Sequence, residues 1–266
     1  MVPVGTRGQQ ALAEQPVVTF DFHNTIARCD RWFTLEIREL VPAFLTWSAD
    51  RHGLAPPSAD QLDAARVAYH EFRTEIGRSG IEQDAVACLA ALLPALGRDV
   101  SDDEIREGVD RLMAETFDDD VQPLPGVVET VRFLADRGVR LGVISSAVYT
   151  PFLHWTLGRF ALTGDFPMVL TSAEAGFYKS DPGIYVLAAE RLGAPPGGIV
   201  HVGDSFRFDV QGARRAGFQT VWVQGDRPTP AEPAAELTLP DLVGAGPALL
   251  ALAEASVGRD RSNDER

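Results

Sequence analysis

The sequence is poor in cysteine and contains no long apolar run. Its two cysteines, Cys29 and Cys88, are too few for a disulfide framework, so we expect both to be packing residues in a reducing compartment. No stretch of about 18 apolar residues occurs that could form a membrane-spanning helix, and residues 1–16 lack the apolar region of a signal peptide. These absences predict a soluble, cytoplasmic protein that has no membrane partner.

Positive charge is also scarce. Lys and Arg total 24 against 38 Asp and Glu, which gives a formal net charge of -14. The basic residues form no cluster that would offset this charge, so the surface repels phosphate backbones and we expect no nucleic-acid partner. Hydrophobic residues occupy 45% of the 266 positions, which is enough for a folded protein with a substantial core.

The apolar pattern changes twice along the chain. Residues 17–21, "VVTFD", predict a buried strand that ends in an acid, and residues 31–121 then repeat apolar side chains at helical spacing, with about four helices. Ser58 and a capping box from Ser101 to Glu104 mark two helix starts. From about residue 122 strands and helices alternate, which is typical of a parallel sheet covered on both faces.

This order predicts an α/β core with an all-helical domain inserted after the first strand. We assign residues 16–30 and 122–255 to the core and residues 31–121 to a helical cap. Residues 1–15 and 256–266 are expected to be flexible tails, because neither segment has an apolar face that could dock on the core.

Polar side chains follow the ends of the predicted strands. Asp21 ends the first strand, Ser145 ends "LGVIS", Asp204 follows "IVHVG", and Lys179 lies in a loop before a helix. Ligands of open parallel sheets bind at the carboxyl ends of the strands, so we expect these side chains to converge. Two carboxylates in a crevice repel each other unless a cation lies between them. We therefore predict a Mg²⁺ site formed by Asp21, Asp204 and the backbone carbonyl of His23, with Lys179 and a serine hydroxyl facing a phosphoryl group.

Four segments resemble the motifs of the haloacid dehalogenase superfamily of hydrolases, in the order and spacing of that family. They are "DFHNT" at residues 21–25, "VISS" at 143–146, "KSDPGIY" at 179–185 and "HVGDSFRFDVQGARRAGF" at 201–218. The resemblance covers about residues 16–255. It implies a Mg²⁺-dependent hydrolase with a Rossmann-like core and the helical cap of the type-one subfamily.

The resemblance also implies a role for each motif residue. Asp21 would be the nucleophile that accepts the phosphoryl group as an aspartyl-phosphate, and Ser145 and Lys179 would bind the phosphoryl oxygens. Asp204 would complete the Mg²⁺ site. Asp209 would be an outer-shell or occasional direct ligand of the metal. Thr25 would orient the first loop at the substrate, and Ser146 would offer a backbone donor to the phosphate.

The chain departs from the family pattern at residue 23. Phosphatases of the family carry a second aspartate two residues after the nucleophile, which protonates the leaving alcohol and later activates water, and here His23 takes that place. An imidazole with a pKa of about 6.5 can act as both acid and base. One interpretation is therefore a phosphatase for a small phosphorylated or otherwise anionic metabolite, with His23 as general acid and base.

Two other interpretations stay open. The chain could cleave a carbon–halogen or carbon–phosphorus bond, or it could bind a ligand or partner without turnover. Dehalogenases need no metal and tend to lose the acid of the fourth motif, whereas this chain keeps Asp204 and Asp209. Phosphonate cleavage through an imine needs a cap lysine, and residues 31–121 contain none. The identity of the substrate and the existence of a homodimer are left open.

Substrate selectivity would come from residues in and near the cap. Arginines there would suit an anionic or sugar-like substrate, and aromatic residues would form an apolar wall. The candidates are Arg28, Arg31, Arg38, Arg73, Arg78, Trp32, Phe33, Phe177 and Tyr178.

Overall fold

A six-stranded parallel sheet forms the centre of the molecule, for which the computed structural model describes residues 15–118, 120–225 and 235–264. The sheet has the order β5-β4-β1-β6-β7-β8, and all of its neighbouring strands run parallel. A separate antiparallel pair joins β2 to β3. The strands are β1 (Val17–Phe20), β2 (Ala27–Arg28), β3 (Gln122–Pro123), β4 (Arg140–Ser145), β5 (Met168–Thr171), β6 (Ile199–Gly203), β7 (Gln219–Val223) and β8 (Leu237–Leu239).

The described helices fall into two groups, which lie before and after β3. The first group contains α1 (Asp30–Thr34), a π-helical turn (Leu35–Glu39), α2 (Leu40–Arg51), α3 (Ala59–Ser79), α4 (Ala85–Leu92) and α5 (Asp102–Ala114). The second group contains α6 (Val127–Ala135), α7 (Thr150–Arg159), α8 (Ser172–Ala175), α9 (Gly183–Leu192), a π-helical turn (Phe206–Val210), α10 (Gln211–Arg215) and α11 (Gly246–Asp264).

Successive residues of β1 belong to two different hydrophobic clusters. Val18 packs in one cluster with Val131 of α6 and Leu249 of α11, and Val17 packs in the other with Ile184 of α9. Side chains alternate between the faces of a strand, so the two clusters lie on opposite faces of the sheet. The structure confirms the predicted α/β fold, a Rossmann-like parallel sheet that is covered on both faces and carries an inserted helical cap.

Two elements near the end of the described chain were not predicted. The strand β8 pairs with β7 and extends the sheet by one strand. The helix α11 packs Leu249 and Ala253 in the core and continues through Asp264, and its Ser256 is buried and donates to the Leu252 carbonyl. The expected tail from residue 256 thus begins within this helix, which the sequence analysis did not predict. Residues 1–14 of the other expected tail lie outside the described residues.

Two helices of the cap, α3 and α5, begin at the predicted capping residues. Ser58 forms a complete capping box with Gln61 at the start of α3. Ser101 accepts a hydrogen bond from the backbone N–H of Glu104, but the Glu104 carboxylate accepts from Ser48 at 2.9 Å and lies 2.9 Å from His52 Nε2. Only half of the capping box predicted from Ser101 to Glu104 forms, because this carboxylate joins α5 to α2.

Buried polar contacts connect the cap to the core above the carboxyl ends of the strands. The Glu36 carboxylate accepts from Val148 N at 3.1 Å, and the Glu82 carboxylate accepts from the Ser172 hydroxyl at 2.8 Å. The Gly80 carbonyl accepts from the backbone N–H of Tyr178 at 2.8 Å. These contacts hold the cap against the loop that precedes Lys179.

Neither cysteine forms a disulfide. Cys29 and Cys88 are free and buried, in agreement with the predicted packing role. Among the described helices, none combines the length and the apolarity that crossing a bilayer requires.

Candidate active site

A cavity of about 230 Å³ lies at the carboxyl ends of β1, β4 and β6. Most of its polar side chains lie at the ends of these strands or in the loops after them, Lys179 lies in the loop between α8 and α9, and the cap supplies part of the apolar wall. Every motif residue that the sequence analysis assigned to the site lines this cavity except Thr25, and Trp32, Phe33 and Tyr178 are the selectivity candidates that line it. The lining residues are Asp21, His23, Asn24, Trp32, Phe33, Ile37, Ser145, Ser146, Tyr178, Lys179, Asp204, Ser205, Phe208 and Asp209.

A tight turn after β1 places both Asp21 and His23 on the cavity. The Phe22 carbonyl accepts from Ala27 N at 3.0 Å, and Asn24 N donates to the Ala27 carbonyl at 2.9 Å. Asn24 has a φ of 60°, in the left-handed region that asparagine tolerates better than most residues. The sequence "DFHNT" therefore ends the strand at the acid and turns the chain at once.

Lys179 is the only lysine in the sequence, and it joins two of the acids. Its Nζ lies 2.6 Å from Asp21 Oδ1 and 2.6 Å from Asp209 Oδ1, and its side chain is 2% exposed. Burial opposes the charged form, but Asp209 and Asp21 outweigh this effect and hold the pKa of Lys179 above its usual range. The ammonium is therefore a fixed positive charge between two carboxylates.

Asp209 accepts hydrogen bonds through both of its oxygens. Oδ1 accepts from Lys179 and lies 3.3 Å from His201 Nε2, while Oδ2 accepts from Ser205 N at 2.8 Å. His201 Nδ1 lies 2.9 Å from Thr19 Oγ1, directly across from it on β1. A carboxylate can only accept, so Nε2 carries the ring proton and the Thr19 hydroxyl donates to Nδ1. Burial lowers the pKa of His201 to about 4, which keeps this imidazole neutral.

Two glycines allow the fourth-motif segment to pack closely around these charges. A Cβ atom on Gly203 would lie 2.3 Å from Asp209 Cγ, and one on Gly212 would lie 2.7 Å from the Lys179 carbonyl oxygen. Side chains at either position would displace Asp209 or the backbone of Lys179. The glycines of "HVGDSFRFDVQGA" are therefore required by the geometry of the site.

Asp204 places a third carboxylate close to those of Asp21 and Asp209. One oxygen each from Asp21, Asp204 and Asp209 lies within 4.8 Å of the others. Three carboxylates beside the single ammonium of Lys179 leave excess negative charge, which would repel an anionic substrate. Hard divalent cations such as Mg²⁺ take one or two carboxylates as ligands, so this donor set fits Mg²⁺. Asp209 is less suited to direct coordination, because its oxygens already accept from protein groups.

The two acids that share Lys179 ionise differently. Burial raises the pKa of Asp21 to about 7, with Lys179 opposing the rise and the charges of Asp209 and Asp204 adding to it. Burial also opposes ionisation of Asp209, but Lys179 and the hydrogen bond from His201 outweigh it and hold the pKa of Asp209 below its usual range. Asp209 is thus the permanent partner of the ammonium, and a further cation would favour the ionised form of Asp21.

His23 lies between an aromatic ring and an acid. Its ring stacks on Phe33 with centroids 3.9 Å apart and planes at 14°, and its Nε2 lies 3.3 Å from Asp30 Oδ1. Burial lowers the pKa of His23, and the hydrogen bond to Asp30 opposes this change. Phe33 and Asp30 together fix the orientation of the imidazole at the edge of the cavity.

The two serines line the cavity, whereas Thr25 does not. Ser145 ends β4 and Ser146 follows it, and Ser146 Oγ accepts from Lys179 N at 3.4 Å, which supports the loop that carries the lysine. Thr25 lines a separate cavity of about 130 Å³, which Leu242 also lines. Thr25 therefore does not line the cavity of the acids, and its expected role in orienting the first loop stays a prediction.

The structure adds residues that the sequence analysis did not select for the site. Asp30 and His201 contact the predicted residues His23 and Asp209, and Phe208 lines the cavity itself. One sequence signal existed for His201, since it interrupts an otherwise apolar strand. Asp30 and Phe208 carry no comparable signal, because their contacts depend on how the chain turns.

Comparison with known proteins gives one family for most of the chain. A sequence model of haloacid dehalogenase-like hydrolases matches residues 16–217. The chain is 34% identical over 122 residues to the glyceraldehyde 3-phosphate phosphatase of Methanopyrus kandleri, an alignment covering 46% of this chain and 52% of that protein. It is 35% identical over 136 residues to the phosphoserine phosphatase of Thermus thermophilus, covering 50% and 54% respectively. The chain thus spans about half the length of the curated relatives it matches.

Solved structures share the fold. A 2-haloacid dehalogenase from Pseudomonas syringae superposes with a TM-score of 0.63 at 23% identity, covering 89% of this chain and 98% of that chain. Proteins with different reactions share one fold, so the reaction has to be argued from the side chains of the site. The family match includes Asp21, Ser145, Lys179 and Asp204, whose side chains line one cavity. This chain belongs to the haloacid dehalogenase-like hydrolase family.

Proposed function

We propose that this chain is a Mg²⁺-dependent cytoplasmic phosphatase that acts on a small phosphorylated metabolite through an aspartyl-phosphate. The observation that carries the proposal is the meeting of three carboxylates with one ammonium at the carboxyl edge of the sheet. The names of the phosphatases among the relatives support the same reaction class. Retention of Asp204 and Asp209 weighs against a metal-free dehalogenation.

In this proposal Asp21, Asp204 and the backbone carbonyl of His23 hold the Mg²⁺, and Asp209 supports them from the outer shell. The bound ion would supply positive charge to the phosphoryl oxygens. Ser145, the backbone at Ser146 and the Lys179 ammonium bind those oxygens as well. The bound ion and the residues that bind the phosphoryl oxygens would therefore both neutralise the negative charge of the phosphoryl group during its transfer.

The reaction would proceed in two displacements. A carboxylate oxygen of Asp21 forms a bond to phosphorus while the bond from phosphorus to the leaving oxygen breaks, and that oxygen takes a proton from His23. Water then gives a proton to His23 and attacks the same phosphorus. The bond to Asp21 breaks, inorganic phosphate leaves, and both residues return to their starting state.

We also propose the division of the chain into a core, residues 16–30 and 122–255, and a cap, residues 31–121. The pairing of β2 with β3 supports it, because this pair brings the two ends of the cap together. The polar contacts of Glu36 and Glu82 with the core support a cap that lies over the site and limits its access to water.

Metal removal tests the proposed function. We expect phosphate release from phenyl phosphate to fall at least about 10²-fold on chelation and to return when Mg²⁺ is added, since the ion supplies several kcal/mol of charge stabilisation. Phosphate release is measured beside halide release from a short 2-haloacid. Halide release without metal would favour dehalogenation, and no turnover on a broad panel of phosphate esters would favour a ligand-binding protein.

The role of His23 is tested by comparing the effect of its replacement on substrates with poor and good leaving groups. His23→Ala is expected to lower kcat about 10²- to 10⁴-fold for an alkyl phosphate, whose alkoxide needs a proton, and much less for p-nitrophenyl phosphate. His154→Ala is a matched control, because His154 is exposed on α7. Equal losses on both substrates would contradict an acid role for His23.

A further inference from the structure

Five apolar or aromatic side chains form one wall of the cavity that holds the predicted phosphoryl site. Trp32, Phe33 and Ile37 line the cavity from the cap, and Tyr178 and Phe208 line it from the core. All except Trp32 are half-buried, so each of these side chains packs against the protein on one side and faces the cavity on the other. A leaving group attached to the phosphate would meet these side chains.

Packing behind the wall restricts its movement. Trp32 is 1% exposed and stacks on Phe152 with centroids 4.4 Å apart and planes at 5°. Tyr178 and Phe208 meet edge to face with centroids 5.3 Å apart. Aromatic rings held in this way present a preformed apolar surface, which binds flat or apolar groups with little ordering cost.

Cations are missing from this wall among the described residues. Lys179 is the one Lys or Arg that lines the cavity, and it is already bound to Asp21 and Asp209. Three of the five candidate arginines bind acids elsewhere, as Arg73 shows by its pair with Glu82 at 2.7 Å. Arg31 pairs with Asp118 and Arg78 with Glu75, and Arg28 and Arg38 are exposed and do not line the cavity.

The charge of the site and the size of the cavity further restrict which leaving groups can bind. The proposed Mg²⁺ and Lys179 together balance the three carboxylates and leave no positive charge for the leaving group, so a carboxylate on the leaving group would lose its hydration without an Arg or Lys to bind it. The cavity volume of about 230 Å³ is below the range of about 300 Å³ and more that holds drug-sized ligands. A small group is therefore required.

We infer that the site, given the proposed phosphatase activity on which this rests, takes phosphate monoesters with a small, neutral, apolar leaving group. Flat unsaturated groups suit the wall of Phe33, Tyr178 and Phe208 best. Monoesters whose alcohol carries a carboxylate are rejected. This selectivity differs from the substrates that the names of the phosphatase relatives describe, because those are polar or charged compounds.

The test compares three alkyl esters that present leaving oxygens of similar kind: benzyl phosphate, glycerol phosphate and phosphoglycolate. With Mg²⁺ present, kcat/KM for benzyl phosphate is expected to exceed that for glycerol phosphate at least about tenfold and that for phosphoglycolate at least about 10²-fold. Preference for glycerol phosphate or phosphoglycolate, or equal values for all three, would overturn the inference. If the esters are hydrolysed in a metal-dependent way but without the expected preference, the proposed phosphatase activity is supported and the inferred substrate class is wrong. If no ester is hydrolysed, both the phosphatase activity and the substrate class are wrong.

A substitution in the wall provides a second measurement. Ile37→Arg places a cation beside the leaving group, and it is expected to shift the ratio of kcat/KM values at least about tenfold toward phosphoglycolate. Phe177→Ala is the matched control, since Phe177 precedes Tyr178 but is 39% exposed and does not line the cavity. A control that shifts the ratio as far as Ile37→Arg would count against the wall as the source of selectivity.

Discussion

An Asp21→Asn variant is expected to release phosphate at least about 10⁴-fold more slowly than the wild type while keeping its fold. Asparagine has nearly the same shape and can still accept a hydrogen bond from Lys179, but its amide cannot form the covalent phosphoryl intermediate. Burial raises the pKa of Asp21, so its ionised form is held at a cost to stability. Replacing this acid by a neutral group therefore does not threaten folding.

Phosphate release under saturating substrate and a thermal unfolding curve together check this expectation. Asp136→Asn is a matched control, since Asp136 is exposed at the end of α6. Mass spectrometry of wild-type protein quenched during turnover should find the added phosphoryl group on the peptide that contains residue 21. Turnover by Asp21→Asn within tenfold of the wild type would remove this residue from the role of nucleophile.

Lys179→Met is expected to destabilise the metal-free protein by about 3–5 kcal/mol and to remove phosphatase activity. The methionine fills similar space, but Asp21 and Asp209 lose the ammonium that lies 2.6 Å from each of them. Breaking a buried ion pair by removing one partner leaves an uncompensated buried charge, which is the cause of losses of this size. Denaturant unfolding measures the change in the free energy of unfolding.

Metal should partly rescue this variant. A divalent cation that binds only the folded protein adds stability, and its benefit should be larger in Lys179→Met than in the wild type, because the carboxylates there lack their ammonium. Lys179→Arg is the second comparison, since a guanidinium keeps the charge but is planar and wider than an ammonium. We expect it to unfold at higher denaturant concentrations than Lys179→Met and to hydrolyse phosphate esters poorly. Unfolding of Lys179→Met at the wild-type denaturant concentration would show that the ammonium does not hold the acids together.

Much of the fold follows from local features of the sequence. The alternation of strands and helices after residue 122 predicted a parallel sheet, and the run "VVTF" at 17–20 has the apolar character of a strand buried on both faces. Short or partly exposed elements were missed, as β8 shows, because three residues with exposed and half-buried side chains leave almost no periodic signal. Helix α11 begins in the apolar run "GPALLALA" at 246–253, and its polar end carries no apolar pattern that indicates a helix docked on the core.

The side chains of the cavity were predictable to the extent that they follow strand ends. Asp21, Ser145 and Asp204 lie there because parallel strands share one carboxyl edge. The contacts of His201 and Phe208 depend on pairing between distant segments, which no spacing in the sequence encodes. The direction taken by Thr25 depends on the turn at Asn24, and motif position alone does not reveal it.

The presence of one lysine in the whole chain has a practical consequence. An NMR spectrum that selects lysine ammonium groups would contain one side-chain signal, and it would come from Nζ of Lys179. Burial beside two carboxylates slows the exchange of its protons with solvent, which makes that signal observable. Binding of a cation or a phosphate mimic to the site would thus change the chemical shift of this one signal, which no other lysine resonance overlaps.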